Sequence, residues 1–95
     1  MNSNKSIIAN FRLIPTYNVY YDANTGTGTQ TDTNDYFAGA SVTVKDEGTM
    51  AKANHTFSHW DTQADDLGTN YDPTDPLTMP ASDVTLYAQW TEDTK

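Results

Sequence analysis

The chain has no cysteine, which excludes disulfide staples, thiolate zinc centres and cysteine nucleophiles together. Basic residues are nearly as scarce. Five Lys and Arg stand against 13 Asp and Glu, for a formal charge of −8. Phosphate contacts need clustered cations, and Lys5, Arg12, Lys45, Lys52 and Lys95 are scattered, so neither nucleic acid nor an anionic membrane surface fits as a partner. Long apolar runs are missing as well. No stretch approaches the roughly 20 residues that cross a bilayer, so no membrane insertion by this segment is expected. The opening Met1-Asn-Ser-Asn-Lys-Ser6 lacks the apolar region of a secretory signal; for a secreted parent, the signal is expected outside this chain.

The apolar content is low, 36% of 95 residues, but rich in rings, with six Tyr, three Phe and two Trp. That supplies one small domain with a core of large side chains and leaves nothing for a second. Thr (16), Asp (11), Ala (9) and Asn (8) dominate the rest, a bias toward strands and turns and away from helices.

Period-two alternation marks the strands. Lys5–Phe11 places Ile7, Ala9 and Phe11 on one face, Tyr17–Asp22 does the same with Tyr17, Val19 and Tyr21, and Ser41–Lys45 with Val42 and Val44. His55–Trp60 is strand-like. Val84–Trp90 carries Val84, Leu86, Ala88 and Trp90 on one face and Thr85, Tyr87 and Gln89 on the other, which fits a central strand. Between them, Ala23–Asp35 is small, polar and without period, a predicted exposed loop with nothing to bury; Thr49–Asn54 reads as a turn, Asp61–Asn70 as a loop, and Pro73 and Pro76 bracket a tight connection. The predicted fold is mainly β, α+β at most, with a mixed sheet and long polar loops. Its expected core is Tyr17, Val19, Tyr21, Val42, Val44, Phe57, Trp60, Leu77, Val84, Leu86, Ala88 and Trp90.

The two ends of the chain resemble each other. Ser3-Asn-Lys-Ser-Ile-Ile-Ala-Asn-Phe11 lies over Ser82-Asp-Val-Thr-Leu-Tyr-Ala-Gln-Trp90 at an offset of 79 positions. Each copy has a polar lead-in, two apolar or aromatic residues, an Ala and a closing ring. This divides the chain into residues 1–14, the terminal strand of a preceding repeat plus linker; residues 15–91, one complete repeat; and residues 92–95, a tail. A period this long suits an array of small domains rather than a solenoid.

Tyr17-Asn-Val-Tyr-Tyr-Asp-Ala-Asn24, Ser41-Val-Thr-Val44, Thr56-Phe57 with Trp60, Gly68-Thr-Asn-Tyr71 and Met79–Trp90, above all the closing Val84-Thr-Leu-Tyr-Ala-Gln-Trp90, together resemble the Listeria–Bacteroides repeat, or internalin B-repeat, family. The resemblance implies a small β-grasp-like domain repeated in tandem in bacterial surface proteins, secreted and often held at the cell wall, with no catalytic residues and no cofactor. Two departures stand out. Thr25 replaces the first of two glycines expected after Asn24, which bears on a tight positive-φ turn, and Asn54, His55 and His59 stand where the family favours Gly, Tyr and Gly.

Other chemistry reads weakly. His55 and His59 lie about 13 Å apart along an extended strand, too far to share a metal ion, and Asp61–Gly68 lacks the ligand spacing and terminal Glu of an EF-hand. Asp72, Asp75 and Asp83 read as acidic surface rather than paired glycosidase acids. Thr25-Gly-Thr-Gly-Thr29 lacks a phosphate loop's Lys and helix, no nucleophile elbow joins the Ser, His and Asp residues, and Trp60 and Trp90 read as core before sugar platform. No catalytic, metal or cofactor site is therefore expected. Two functions remain open: a structural repeat acting as spacer or stalk, whose partners are neighbouring repeats, or a module contacting a host protein or glycan through the threonine-rich loop and exposed tyrosines, with Tyr20 and Tyr36 as candidate contacts.

Overall fold

The computed structural model describes residues 14–93, so the expected strand at 5–11 lies outside the described residues. Eight strands follow in order: β1 (Thr16–Tyr17), β2 (Val19–Asp22), β3 (Tyr36–Phe37), β4 (Ser41–Thr43), β5 (His55–Asp61), β6 (Asn70–Tyr71), β7 (Pro76–Thr78) and β8 (Val84–Glu92). No helix occurs among the described residues. The central sheet has the order β2-β8-β5-β6, with β2 parallel to β8 and β5 antiparallel to it; β1-β3 and β4-β7 are two-stranded antiparallel ribbons. The fold is mainly β with a mixed sheet, and β8 is central in it, as its two-faced pattern predicts.

Alternation explains the burial. Val19 and Tyr21 of β2 and Leu86 and Ala88 of β8 point inward with Trp60 of β5, and Val42, Val44 and Leu77 close over them from the β4–β7 side. Trp60 is fully buried, its ring centroid 4.8 Å from Tyr21 and 5.0 Å from Phe57. Its indole N–H donates to the Lys45 carbonyl at 2.8 Å, so the polar edge of a buried ring is satisfied. Tyr17, Phe57, Val84 and Trp90 are only partly buried, against the cluster rather than inside it. Met50 and Met79, outside the expected core, are buried in it.

The tyrosine-rich segment is two strands, not one. Asn18 breaks it: its N–H donates to Asp83 Oδ1 (2.8 Å), its amide to the Asn34 carbonyl (3.1 Å), and its carbonyl accepts from Val84 N–H (3.0 Å). β1 therefore pairs with β3, and β2 with β8. The connection at Pro73–Pro76 opens into β7, whose first residue is Pro76, a position where proline's missing N–H breaks no ladder.

The segment 23–35 does bury a side chain, contrary to expectation. Asp32 lies inside, accepting from the Tyr36 hydroxyl (2.6 Å) and the Asn34 N–H (2.9 Å). Single bridges fasten the same segment at Thr27 to Ala51 and at Thr31 to Tyr20. It starts with a turn whose central residues both have positive φ, Asn24 at 49° and Thr25 at 74°, closed by Gly26 N–H to the Ala23 carbonyl (3.0 Å). The missing first glycine has not removed the turn; a β-branched residue holds the left-handed position at a cost of about 1–2 kcal/mol. Gly26 stays because a Cβ there would meet the Ala51 carbonyl at 2.7 Å and the Trp90 ring at 2.9 Å. Asn54 likewise holds a left-handed conformation, φ 65°.

Opposite effects are expected at the two ends of this segment. Thr25→Gly relieves strain and raises stability by about 1 kcal/mol. Gly28→Ala, at φ +84° with its Cβ 2.1 Å from the Thr49 carbonyl oxygen, costs on the order of 2–3 kcal/mol. Urea unfolding followed by tryptophan fluorescence checks both; a neutral Gly28→Ala or a destabilising Thr25→Gly refutes this account of the turn.

Candidate functional site

Asp32, at the end of the threonine-rich segment, separates two grooves. The larger, about 670 Å³, is lined by Gln30, Asp32, Asn34, Tyr36, Thr43 and Lys45 among others; the smaller, about 280 Å³, by Tyr20, Tyr21, Thr29, Thr31, Asp32 and Met50 among others. The two candidate contact residues thus line different grooves, which share Gln30 and Asp32. Tyr20 sits in β2 between the inward Val19 and Tyr21, so its ring turns out, 52% exposed. Tyr36 is not the freely exposed ring expected of it: it is half-buried and its hydroxyl is held by Asp32. Burial and the neighbouring Asp32 both push the Tyr36 hydroxyl above its ordinary pKa, so it stays a neutral donor. Burial does the same to Tyr21, whose hydroxyl accepts from Lys45 N–H at 3.1 Å.

The other candidates are used internally. Asp61 is fully buried at the end of β5, where it accepts from Gln63 N–H (2.7 Å), Gly68 N–H (2.9 Å) and the Asn70 amide. The loop that resembled a calcium site in composition therefore wraps its leading carboxylate in its own donors. Asp83 accepts from Asn18, and Asp75 from Asp72 N–H at 2.8 Å. Among the described residues, no group of three or more His, Cys, Asp or Glu could hold a metal ion. Trp90 is half-buried, its indole N–H donating to the Ala23 carbonyl at 2.8 Å.

The histidines part company. His55 Nδ1 lies 2.8 Å from the Ala53 carbonyl, while His59 joins a chain running Ser58 Oγ, His59 Nδ1 (2.7 Å), His59 Nε2, Asp66 Oδ1 (2.8 Å). A register shift in β5 between Phe57 and His59 leaves Ser58 as the extra residue. Among the described residues, neither Ser58 nor His59 lines either groove. The role of this hydrogen-bonded chain is to tie the 62–70 loop to β5. Asp66 sits at φ 67°, and the hydrogen bond with His59, supported by Asn70, holds its carboxyl below the usual Asp range. Sequence spacing could not reveal this pair, since the two residues meet only when the loop folds back.

Residues 17–89 match the Listeria-Bacteroides repeat domain, a span bracketed by the start of β1 and the end of β8. The chain belongs to that repeat family. Two proteins of Evansella cellulosilytica are similar to it. One, named a Gly-rich membrane protein, is 45% identical over 56 residues, covering 55% of this chain and 6% of its own length. The other, named a membrane protein, is 35% identical over 78 residues, covering 81% of this chain and 12% of its own length. The repeat thus spans a small part of these much longer relatives. No solved structure matches the chain. Among the described residues of this repeat, no helix is long and apolar enough to cross a membrane.

The Asp66 tie has a pH signature. Its folded pKa lies below the unfolded value, so its contribution to stability is complete above the unfolded-chain pKa and disappears as pH falls through the lowered one. Carbon-detected NMR is expected to place the Asp66 midpoint below the ordinary Asp range and to move it up in His59→Ala. A wild-type midpoint at or above the ordinary range contradicts the geometry.

Proposed function

We propose that this repeat is a non-catalytic spacer in a bacterial cell-surface protein, set end to end with further copies of itself. One observation carries the reading. β2, which starts two residues into the family match, runs parallel to β8, with Val19 beside Val84 and Asp22 beside Tyr87. The chain therefore enters at the pole where β8 begins, marked by Asn18 and Asp83, and leaves at the pole where β8 ends, with Glu92 beside His55 and Asp93 N–H bonded to the Asn54 carbonyl. Nine residues of extended strand separate the poles by about 30 Å. A domain entered and left at opposite poles adds its full length to an array, whereas one with adjacent termini adds little.

The division into residues 1–14 as the close of a preceding repeat, 15–91 as a complete one and 92–95 as a tail belongs to this proposal. Family membership and the membrane-protein names of the long relatives support a surface location. The absence of a catalytic role is part of the same reading, supported by carboxylates committed to turn hydrogen bonds and by a Ser–His–Asp chain whose Ser58 and His59 line neither groove.

A second reading rests on the groove beside Asp32. Gln30, Asn34, Thr43 and Lys45 supply amide, hydroxyl and ammonium groups around the Tyr36 ring, a lining that suits a glycan or a polar peptide of a host surface protein, with weak adhesion as the result.

The two readings separate by experiment. The spacer predicts several copies of the Leu-Tyr-Ala-Gln-Trp strand near the 79-residue offset in the parent reading frame, with a secretion signal and a cell-wall anchor; a single copy in a cytoplasmic protein defeats it. The groove predicts glycan-array signal that Tyr36→Ala and Gln30→Ala abolish; no signal with the folded repeat removes that reading.

A further inference from the structure

We infer that the pole where β8 begins is an interface for the preceding repeat, seated on Ile14 and Phe37, and that this contact makes successive repeats one stiff rod instead of hinged beads. The inference rests on the spacer reading and adds to it how neighbouring repeats touch.

Ile14 and Phe37 are two of the large apolar side chains left open, 65% and 54% exposed. They share a side of the β1–β3 ribbon. Thr16 is the cross-strand partner of Phe37, and directly opposed residues of an antiparallel pair face the same way. Ile14 stands two residues before Thr16, and Pro15 restricts it to extended backbone, which keeps it on that side. Phe37 is held in place by the turn that follows, where Ala40 N–H donates to the Phe37 carbonyl (3.0 Å) and Gly39 N–H to the Met79 carbonyl (2.7 Å). Nothing lies within 4 Å of a Cβ placed on Gly39, so the pole is open beside the ring.

The occupant follows from the offset of 79. β8 ends at Glu92, whose counterpart is Leu13, and β1 begins at Thr16. In sequence, only Ile14 and Pro15 stand between the counterpart of β8's last residue and the first residue of β1. A two-residue connection containing proline has little freedom, so the end of the preceding repeat has to lie against the pole that Ile14 and Phe37 occupy. Composition at the junction agrees. Leu13 and Ile14 stand in sequence where the exit of this repeat carries the exposed Glu92 and Asp93, so the corresponding positions are apolar where this repeat is entered.

The test uses the parent segment that carries this chain together with the repeat before it. Small-angle X-ray scattering is expected to give a maximum dimension about twice that of one repeat, at about 30 Å added per repeat. NMR relaxation is expected to show both repeats tumbling with one correlation time. Ile14→Ser with Phe37→Ser, both at exposed positions, leaves the unfolding midpoint of each repeat in place but gives two separate correlation times and a broader, shorter distance distribution. Identical relaxation in wild type and variant overturns the inference while the spacer reading stands. A parent frame with no preceding repeat overturns both. If the double variant loses stability, Phe37→Tyr and Ile14→Val, which keep the apolar contact, are expected to retain the single correlation time, and their failure to do so counts against the interface.

Discussion

Among the described residues no helix packs on the four-stranded sheet, so it has to be covered by segments that have no ladder of their own, and that constraint shapes the fold. Backbone groups in such segments need partners one at a time. Asp supplies them through a repeated device in which the carboxylate accepts from the N–H two residues ahead. It occurs at Asp22 to Asn24 (2.7 Å), Asp32 to Asn34 (2.9 Å), Asp46 to Gly48 (2.9 Å), Asp61 to Gln63 (2.7 Å) and Asp65 to Leu67 (3.1 Å). Five such turns, spread over three inter-strand connections, thus use five of the 13 acidic side chains without invoking a ligand. The high Thr and Asn content has a related origin: Thr49 both donates to and accepts from the backbone of Thr29, and Thr62 accepts from Thr69 N–H.

Asn24 connects this covering to the sheet. Its amide donates to the Ala88 carbonyl in β8 and to the Ala64 carbonyl in the loop after β5, both at 2.9 Å. The left-handed turn at 24–25 aims that amide, so a local backbone strain is held by contacts to two distant segments. On the inner face, Trp60 does the comparable work, contacting Tyr21 of β2 and Phe57 of its own strand while bonding the chain just after β4. The groove beside Asp32 has walls that belong to fastened segments: the Lys45 backbone is bonded by Trp60 and Tyr21, and Asp32 by Tyr36.

The strands that the sequence reveals are those whose burial alternates. β2, β4, β5 and β8 show inward residues at every second place for most of their length, and Val42, Trp60, Leu86 and Ala88 were readable as core for that reason. β1, β3 and β6 hold two residues each, too short for any period to appear, and β7 opens with a proline. Met50 and Met79 escape because each is a single apolar residue among polar or turn-forming neighbours, with burial set by the tertiary fold alone. The site shows the same limit. Tyr20 was readable as outward because it lies between two inward neighbours, whereas the half-burial of Tyr36 depends on Asp32, a residue indistinguishable in sequence from a solvated acid. A buried carboxylate leaves no compositional trace when its partners are backbone N–H groups and a hydroxyl brought in by folding.

Charge bears on how such repeats sit in an array. At −8 for 95 residues, neighbouring copies repel, and repulsion alone could hold an array extended. At physiological ionic strength, however, the screening length is about 8 Å, well short of the roughly 30 Å between poles, so most of the charge on one repeat is invisible to the next. Only groups at the junction interact, and there Leu13 and Ile14 replace the Glu92 and Asp93 of the exit, while Asp83 and Asp35 are engaged by Asn18. Repulsive stiffness fades as salt is added, while an apolar contact persists or strengthens. An array extended by charge would soften in high salt, and one held through Ile14 and Phe37 would not. On the proposed contact through Ile14 and Phe37, this repeat belongs to the second class.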